Sequence, residues 1–504
     1  MKIWYDTTPA SQPVANDCYT VMPGQIVSFD LPITEDDIRR VRVCTLKQRE
    51  SLHIQRCCDR RWLVCDPVRS GRLIVLDAEG FLVLEQFRAV RTPLEVMKAS
   101  SELLPSDIEE GAAIFYKLGF LQDIHQPSLA SHKDEMETLT AWLHVTNACN
   151  LRCHYCYVSK TPEYMANDVA RRAIDAIFRT ARKQRLQRVM LKYAGGEASL
   201  HMAQVFEMHD YAASQAQQHG LALNAHLLSN GVVMSQNTID QLRARHIGIT
   251  ISLDGIGAYH DKQRPFIRGH GSFQYVDQTI KRLLTSAVVP HITVTVSQRN
   301  LDGLPNLMMY ILECELPFTL SYYRDNEYSA HIPDLQFADE QMIAAMRSVF
   351  TLIECHLPSR SLLSSLIDKA DLSSPHRYTC GAGRNYLVID QHGGVAKCQV
   401  DMKRSVTTID ADDPLQAVKD DLNGIQNLAV EAKEGCRTCE WRYWCAGGCP
   451  LLTYRATGRY DVKSPNCNIY KALFPEVLRL EALRLLKYTL PNRVVNVRNT
   501  AVLK

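Results

Sequence analysis

The chain has 504 residues and a net charge of +2, from 57 Lys and Arg against 55 Asp and Glu. That length exceeds one ordinary hydrophobic core and predicts about two to four domains. The balanced charge, with no Lys/Arg block, argues against a polyanion-binding surface as the main business of the protein.

The stretch Met1 to Ala10 lacks a basic segment followed by an apolar one, and no run approaches the ~18 apolar residues of a spanning helix. The expectation is a soluble, cytoplasmic protein that binds neither membrane nor nucleic acid. Seventeen cysteines are present. Disulfides are rare in a reducing compartment, so clustered thiols read as metal ligands or catalytic groups. Ten of them fall into two spaced sets. The others, Cys18, Cys44, Cys57, Cys58, Cys65, Cys314 and Cys355, read as small buried apolar residues. The adjacency of Cys57 and Cys58 is a weak sign of redox chemistry.

In chain order, residues 1–131 begin with about forty that carry no assignable pattern. Strands are predicted at Val41–Leu46, Trp62–Asp66 and Arg72–Asp77, the last two joined by hairpin-loop chemistry at Pro67–Gly71. Gly80–Phe87 then has Phe81, Leu82, Leu84 and Phe87 at helical spacing. A second helix starts at Thr92 and Pro93. A third starts at Ser106, with a capping box to Glu109, and runs through Ile114, Leu118 and Leu121. From Trp62 to Asp123 this pattern resembles the PqqD-like, winged-helix-like recognition domain of ribosomal-peptide maturases. The resemblance implies that the leader of a ribosomal precursor peptide adds as a strand to an exposed sheet edge. A structural cap or a nucleic-acid-binding winged helix is the alternative, and the near-neutral charge counts against the latter.

Residues 135–325 alternate between strand and helix. Strands are predicted at Leu139–Thr146, Val189–Ala194, Ala222–Leu228, Ile247–Leu253, His291–Val296 and Phe318–Tyr322. Amphipathic stretches such as Asn167–Gln184 separate them. The fold class is therefore α/β, a parallel sheet with crossover helices. Six units make a partial (β/α)6 barrel with a lateral opening, and sites are expected at the strand C-termini.

The first thiol set, Cys149, Cys153 and Cys156, follows the first of these strands. Three thiolates on one loop can hold three irons of a [4Fe-4S] cubane and leave the fourth without a protein ligand, whereas clusters otherwise take four Cys. A zinc site is the alternative and would need His154 or a remote fourth ligand. With Tyr155 before the last Cys, the loop resembles that of the radical S-adenosylmethionine (radical SAM) enzymes. The resemblance implies that the amino and carboxylate groups of SAM chelate the open iron. It also implies that a reduced cluster cleaves SAM to a radical that abstracts hydrogen.

Gly195-Gly196-Glu197, after the second strand, matches the family's Gly-Gly-Glu motif, whose Glu pairs with the ammonium of SAM. Ser229-Asn230-Gly231 reads as a turn. Ser252, Asp254, His260 and Arg264 resemble the Ser-Leu-Asp-Gly…His-Asp-x-x-Arg stretch of peptide-modifying members. Ser252 and Arg264 are then expected on the carboxylate end of SAM, while Asp254 and His260 either touch cofactor or fix the loop. The expected cofactor-binding residues are Tyr155, Gly195, Gly196, Glu197, Ser252, Asp254 and Arg264. No catalytic acid or base is assigned.

Residues 326–379 read as a helical linker. The second thiol set spans 380–470: Cys380, Cys398, Cys436, Cys439, Cys445, Cys449 and Cys467. One or two zinc ribbons are the alternative. The run C-x2-C-x5-C-x3-C with a later lone Cys resembles the SPASM extension of radical SAM peptide maturases, and so does Cys380-Gly381-Ala382-Gly383-Arg384 leading to Gly393 and Cys398. That extension carries two auxiliary [4Fe-4S] clusters. By resemblance, one uses Cys436, Cys439, Cys445 and Cys467, and the other Cys380, Cys398 and Cys449. Sulfatase-maturing members have a further Cys where this chain has Ser374, so the second cluster is expected to have an open iron or an unidentified ligand. They also have an acidic base where this chain has Gln399, with Asp401 two further on. In the last segment, 471–504, Phe474–Tyr488 is expected to be a packing helix.

The function these readings imply is radical SAM oxidation of a precursor peptide, forming an intramolecular thioether, carbon–carbon or carbon–oxygen crosslink. A reductant protein such as flavodoxin or ferredoxin would supply electrons. Formylglycine formation, epimerisation or decarboxylation is the alternative within the class. A non-catalytic iron–sulfur or zinc protein that binds peptide is the alternative outside it.

Overall fold

Local capping sets the N-terminal elements. The computed structural model describes residues 1–5, 33–126 and 136–489, with short strands at 10–11, 26–27 and 492–493. Cys18, the join at 131–135 and the tail lie outside the described residues, apart from those strands. β1 is Lys2–Tyr5, and β2 (Ala10–Ser11) pairs with β3 (Ile26–Val27). α1, Glu35–Arg42, is a correction: a strand was expected from Val41, but Val41 lies in the last turn of this helix. Thr34 and Asp37 cap each other, and three acids open the helix while three arginines close it. That charge layout suits the helix dipole and overrides a short β-branched run.

β4 (Leu46–Gln48), β5 (His53–Cys58), β6 (Arg61–Cys65) and β7 (Leu73–Asp77) follow, then α2 (Ala78–Gln86) and α3 (Pro93–Ala99). Thr92 and Glu95 form a full capping box for α3. α4 runs Pro105–Lys117, and the box expected between Ser106 and Glu109 does not form. Pro105 takes the first helical position, where its fixed φ and missing N–H cost nothing. Glu109 instead pairs with Arg42 at 2.6 Å. β8 (Leu121–Asp123) pairs with β4.

β5, β6 and β7 form an antiparallel meander, with β1 on the outer edge of β7. Ile3, Val64, Ile74 and Leu76 bury one face of this sheet in a core shared with Val83, Leu84, Ile108 and Phe115. Trp4, Leu63, Cys65 and Val75 join the main core of the molecule.

The central strands and helices then alternate. They are β9 (Thr138–Thr146), α5 (Asn167–Lys183), β10 (Arg188–Gly195), α6 (Met202–His219), β11 (Ala222–Ser229), α7 (Gln236–Ala244), β12 (Ile247–Ser252), α8 (Ala258–Asp261), α9 (Phe273–Thr285), β13 (His291–Val296), α10 (Leu304–Glu313) and β14 (Phe318–Tyr322). All six strands pair in parallel in chain order, each within about two residues of its expected span. One face of each strand, such as Leu139, Leu191, Ile249 and Val294, packs in the main core. The opposite face carries Trp142, Lys192, His226, Thr250, His291 and Thr319. Because side chains from all six strands reach one cavity, the sheet wraps as a partial barrel.

After α11 (Asp339–Cys355), three strands that periodicity did not show extend this sheet. β15 (Tyr386–Ile389) pairs in parallel with β9, and β16 (Gly394–Ala396) and β17 (Thr407–Thr408) follow antiparallel. α12 (Pro414–Asp420), α13 (Arg442–Cys445), α14 (Pro450–Thr457), α15 (Cys467–Tyr488) and β18 (Asn492–Arg493) complete the order. α15 begins seven residues before the expected Phe474 and carries Pro475 internally. β18 pairs with β1. Among the described residues, no helix is long and apolar enough to cross a membrane.

Candidate functional site

The loop after β9 is strapped down from several sides. Gly196 N–H donates to Thr146 O at 2.6 Å and Glu197 N–H to Ala148 O at 2.9 Å. A Cβ on Gly195 would lie 2.4 Å from Thr146 O, and one on Gly196 would lie 2.3 Å from Ala148 O. The paired glycines therefore admit the backbone of the cysteine loop itself. On the far side, Arg152 and His154 donate their N–H groups to Pro265 and Gln263 carbonyls.

Held this way, Cys149, Cys153 and Cys156 line one cavity of about 150 Å3 together with Tyr155, Gly195, Gly196, Glu197, Ser252 and Arg264. Asp254 does not line it. It lies behind, fully buried, where its carboxylate accepts from Tyr155 Oη at 2.5 Å and from Thr295 N at 2.8 Å. Arg264 Nη1 donates to the same Tyr155 hydroxyl and lies 3.6 Å from the Asp254 carboxylate. His260 accepts from Asp254 N through Nδ1 and meets Ser272 through Nε2. It fixes the loop.

Glu197 is also held. Its carboxylate accepts from Ser199 N, Ser229 Oγ and Asn230 N at 2.7–3.1 Å. Asn230, which reads only as a turn residue in the sequence, reaches Asn150 Oδ1 at 2.7 Å and Cys149 Sγ at 3.8 Å. Lys160 and Asn326 also line the cavity, and no motif pointed to either. Asn326 Nδ2 donates to Tyr155 O, which fixes the loop from the β14 side.

Burial pushes the Cys153 thiol up to about 12, although the Arg264 guanidinium opposes the shift. Burial also raises the Asp254 carboxyl, again against Arg264. Metal binding at Cys153 must therefore displace a proton.

The donor set fits an iron–sulfur cluster with SAM. Three thiols meet at one wall, and the guanidinium of Arg264, which suits a carboxylate, has a buried Nε without a partner. His154, the fourth ligand a zinc site would call on, is exposed and does not line the cavity. Among the described residues, no three His, Cys, Asp or Glu are arranged to hold a single metal ion.

The second thiol set divides in two. Cys436, Cys439, Cys445 and Cys467 line a separate small cavity with Trp441, Lys463 and Tyr470. Burial lifts the Cys436 thiol to about 11 and Cys445 to about 12. The hydroxyl of Tyr470 is buried there without a partner, and thiolate or sulfide acceptors would satisfy it. Cys380, Cys398 and Cys449 pack together around Ala382, Ile425 and Leu451.

Gln399, the position of the acidic base in sulfatase-maturing enzymes, is buried and accepts from Tyr386 Oη at 3.0 Å. Burial raises the carboxyl of Asp401, opposed by Arg404 and Arg455. Val400, two residues after Cys398, reaches the wall of the first cavity. The second thiol group thus adjoins the space in front of the first.

Residues 143–307 match the Radical SAM superfamily. The chain is 21% identical over 357 residues to an uncharacterized protein of Archaeoglobus fulgidus, covering 68% of this chain and 81% of that protein. It is 25% identical over 268 residues to the antilisterial bacteriocin subtilosin biosynthesis protein AlbA of Bacillus subtilis, covering 52% of this chain and 54% of AlbA. It therefore spans about half the length of that relative. Among solved structures, native anSMEcpe with bound AdoMet and a Cp18Cys peptide superposes with a TM-score of 0.56. The superposition covers 68% of this chain and 99% of that one at 16% identity. At that identity the likeness is one of fold, and it supports a radical SAM α/β architecture.

Proposed function

We propose that this chain is a radical SAM enzyme that oxidises a ribosomally made precursor peptide and closes an intramolecular crosslink. The observation that carries the reading is the convergence of Cys149, Cys153, Cys156, Glu197, Ser252 and Arg264 on one cavity, with Val400 of the cysteine-rich segment on its wall. When bound, the cluster and SAM supply the hydrogen-abstracting radical; the protein binds, orients and excludes water.

In this reading the three thiolates hold three irons of the cubane, and Glu197 receives the ammonium of SAM. Ser252 and Arg264 receive its carboxylate, and Tyr155 with Asp254 keeps the guanidinium aimed. The cysteines of 380–467 would hold two auxiliary clusters, which would supply an acceptor for the electron the substrate must lose. The first electron comes from a flavodoxin- or ferredoxin-type reductant. AlbA, by its name a bacteriocin biosynthesis protein, favours a peptide substrate. An amide at Gln399 cannot take a proton as a carboxylate does, which counts against formylglycine formation. The meander β5–β7 followed by three helices supports a PqqD-like leader site. β5 is the edge for an added strand, because β1 occupies the edge of β7.

The test is anaerobic incubation with dithionite, SAM and a candidate precursor peptide. 5′-Deoxyadenosine and a peptide lighter by about two daltons (two hydrogens, one new bond) are expected. The Cys149→Ala, Cys153→Ala, Cys156→Ala variant should give neither. Removing the leader from the peptide should cut modification while SAM cleavage persists. An unmodified peptide mass with every precursor tried would remove the crosslink reading.

A further inference from the structure

The two groups of the second thiol set meet at one turn. Cys445 belongs to one group and Cys449 to the other, and between them Ala446, Gly447 and Gly448 all take left-handed φ values of 45°, 77° and 72°. Thr379, next to Cys380, donates its hydroxyl to the carbonyls of Ala446 and Gly448 at 3.0 and 2.8 Å. The turn therefore ties ligands of both groups into one unit.

Lys433 reaches this turn from below. Its side chain is buried, with 1% exposure, and its Nζ donates to Ala446 O at 2.7 Å. A Cβ on Gly447 would lie 2.5 Å from Lys433 Cδ and 3.0 Å from Nζ, so glycine is needed there to admit the lysine. Among the described residues, Lys433 has no carboxylate partner. Burial pushes its ammonium below the usual lysine range, and the thiols of Cys436, Cys445, Cys380 and Cys449, two from each group, oppose that shift. Buried charges are paired or they destabilise the fold. Clusters held by thiolates carry net negative charge and would supply what this lysine lacks.

We propose that Lys433 is the shared counter-ion of the two auxiliary clusters, a fixed cation that raises the reduction potential of both. The proposal rests on the cluster reading above. A positive charge stabilises the reduced, more negative state of any cluster near it. Because one ammonium serves both, its removal should move both potentials in the same direction. The cation also favours electron acceptance from the substrate side.

The test uses full-length protein, reconstituted anaerobically, as wild type, Lys433→Met and Lys433→Arg. Iron is counted, and each cluster is titrated by redox potential with electron paramagnetic resonance detection. In the Met variant both auxiliary signals should shift to lower potential while the signal of the SAM-site cluster stays in place. The Arg variant should hold all of them near the wild-type values. Loss of auxiliary iron in Met but not in Arg also supports a counter-ion. Full iron content with one or neither auxiliary potential moved overturns the proposal. Equal iron loss in both variants does the same, since it marks a packing role. A wild type that holds only about four irons defeats the cluster reading itself and removes this proposal with it.

Discussion

Tyr155 shows how one hydroxyl organises a site. It donates to the Asp254 carboxylate and accepts from Arg264, joining the cysteine loop to the strap beyond β12. Tyr155→Phe leaves a buried carboxylate and a guanidinium without their common partner, at a cost of about 1–3 kcal/mol. SAM affinity, measured by equilibrium dialysis, should fall by about 5- to 150-fold with iron content unchanged. An unaltered affinity would deny Tyr155 a part in aiming Arg264. At this scale the motif residues were legible, because cluster ligation confines thiols to short spacings along the chain. Asn230, Lys160 and Lys433 were not legible. They reach their sites from other loops, and a single Asn or Lys carries no periodic or spaced signature.

The elements of the barrel carry a second set of consequences in their inward faces. His144, His226 and His291 are buried, and burial lowers them from 6.5 to about 4, about 4 and about 3 respectively. Each is neutral in the fold but takes up a proton in the unfolded chain below its ordinary value. Stability is therefore unaffected above about pH 6.5. It falls as pH drops from there toward about 4, by about 1 kcal/mol per unit for each ring. Chemical denaturation at pH 7 and pH 5 should show this loss, and His226→Asn should make it smaller. A pH-independent midpoint would contradict it. The six long strands were readable because each buries a full apolar face for five to nine residues. β15, β16 and β17 have four, three and two residues, too few to display a period. α1 was misread where capping chemistry outweighed the apolar pattern, while α4 was placed one residue late, because Pro105 opens it, and Leu121, expected in that helix, lies in β8.

In the molecule as a whole, the cysteine-rich segment is built into the barrel. β15 lies along β9 in register from Tyr386 opposite Thr140 to Ile389 opposite Leu143. Arg179 of α5 holds the carbonyls of Ile409 and Ala411 at 2.7 Å. A chain ended at residue 379 would bare the edge of β9 and lose these bonds. It should aggregate rather than yield a soluble barrel, as size-exclusion chromatography of the expressed fragment would show. A monodisperse, SAM-binding fragment would contradict this. The strand–helix alternation gave no hint of this seam, since a parallel partner that arrives some 240 positions later leaves no local trace.

The seam makes the sheet a ruler. Adjacent strands sit about 4.8 Å apart in any sheet, so the ladder between β9 and β15 pins the segment that follows Cys380 against the strand that leads into Cys149. On the function proposed above, the separation between the cluster behind Cys149 and those of the cysteine-rich segment would be set by the fold itself.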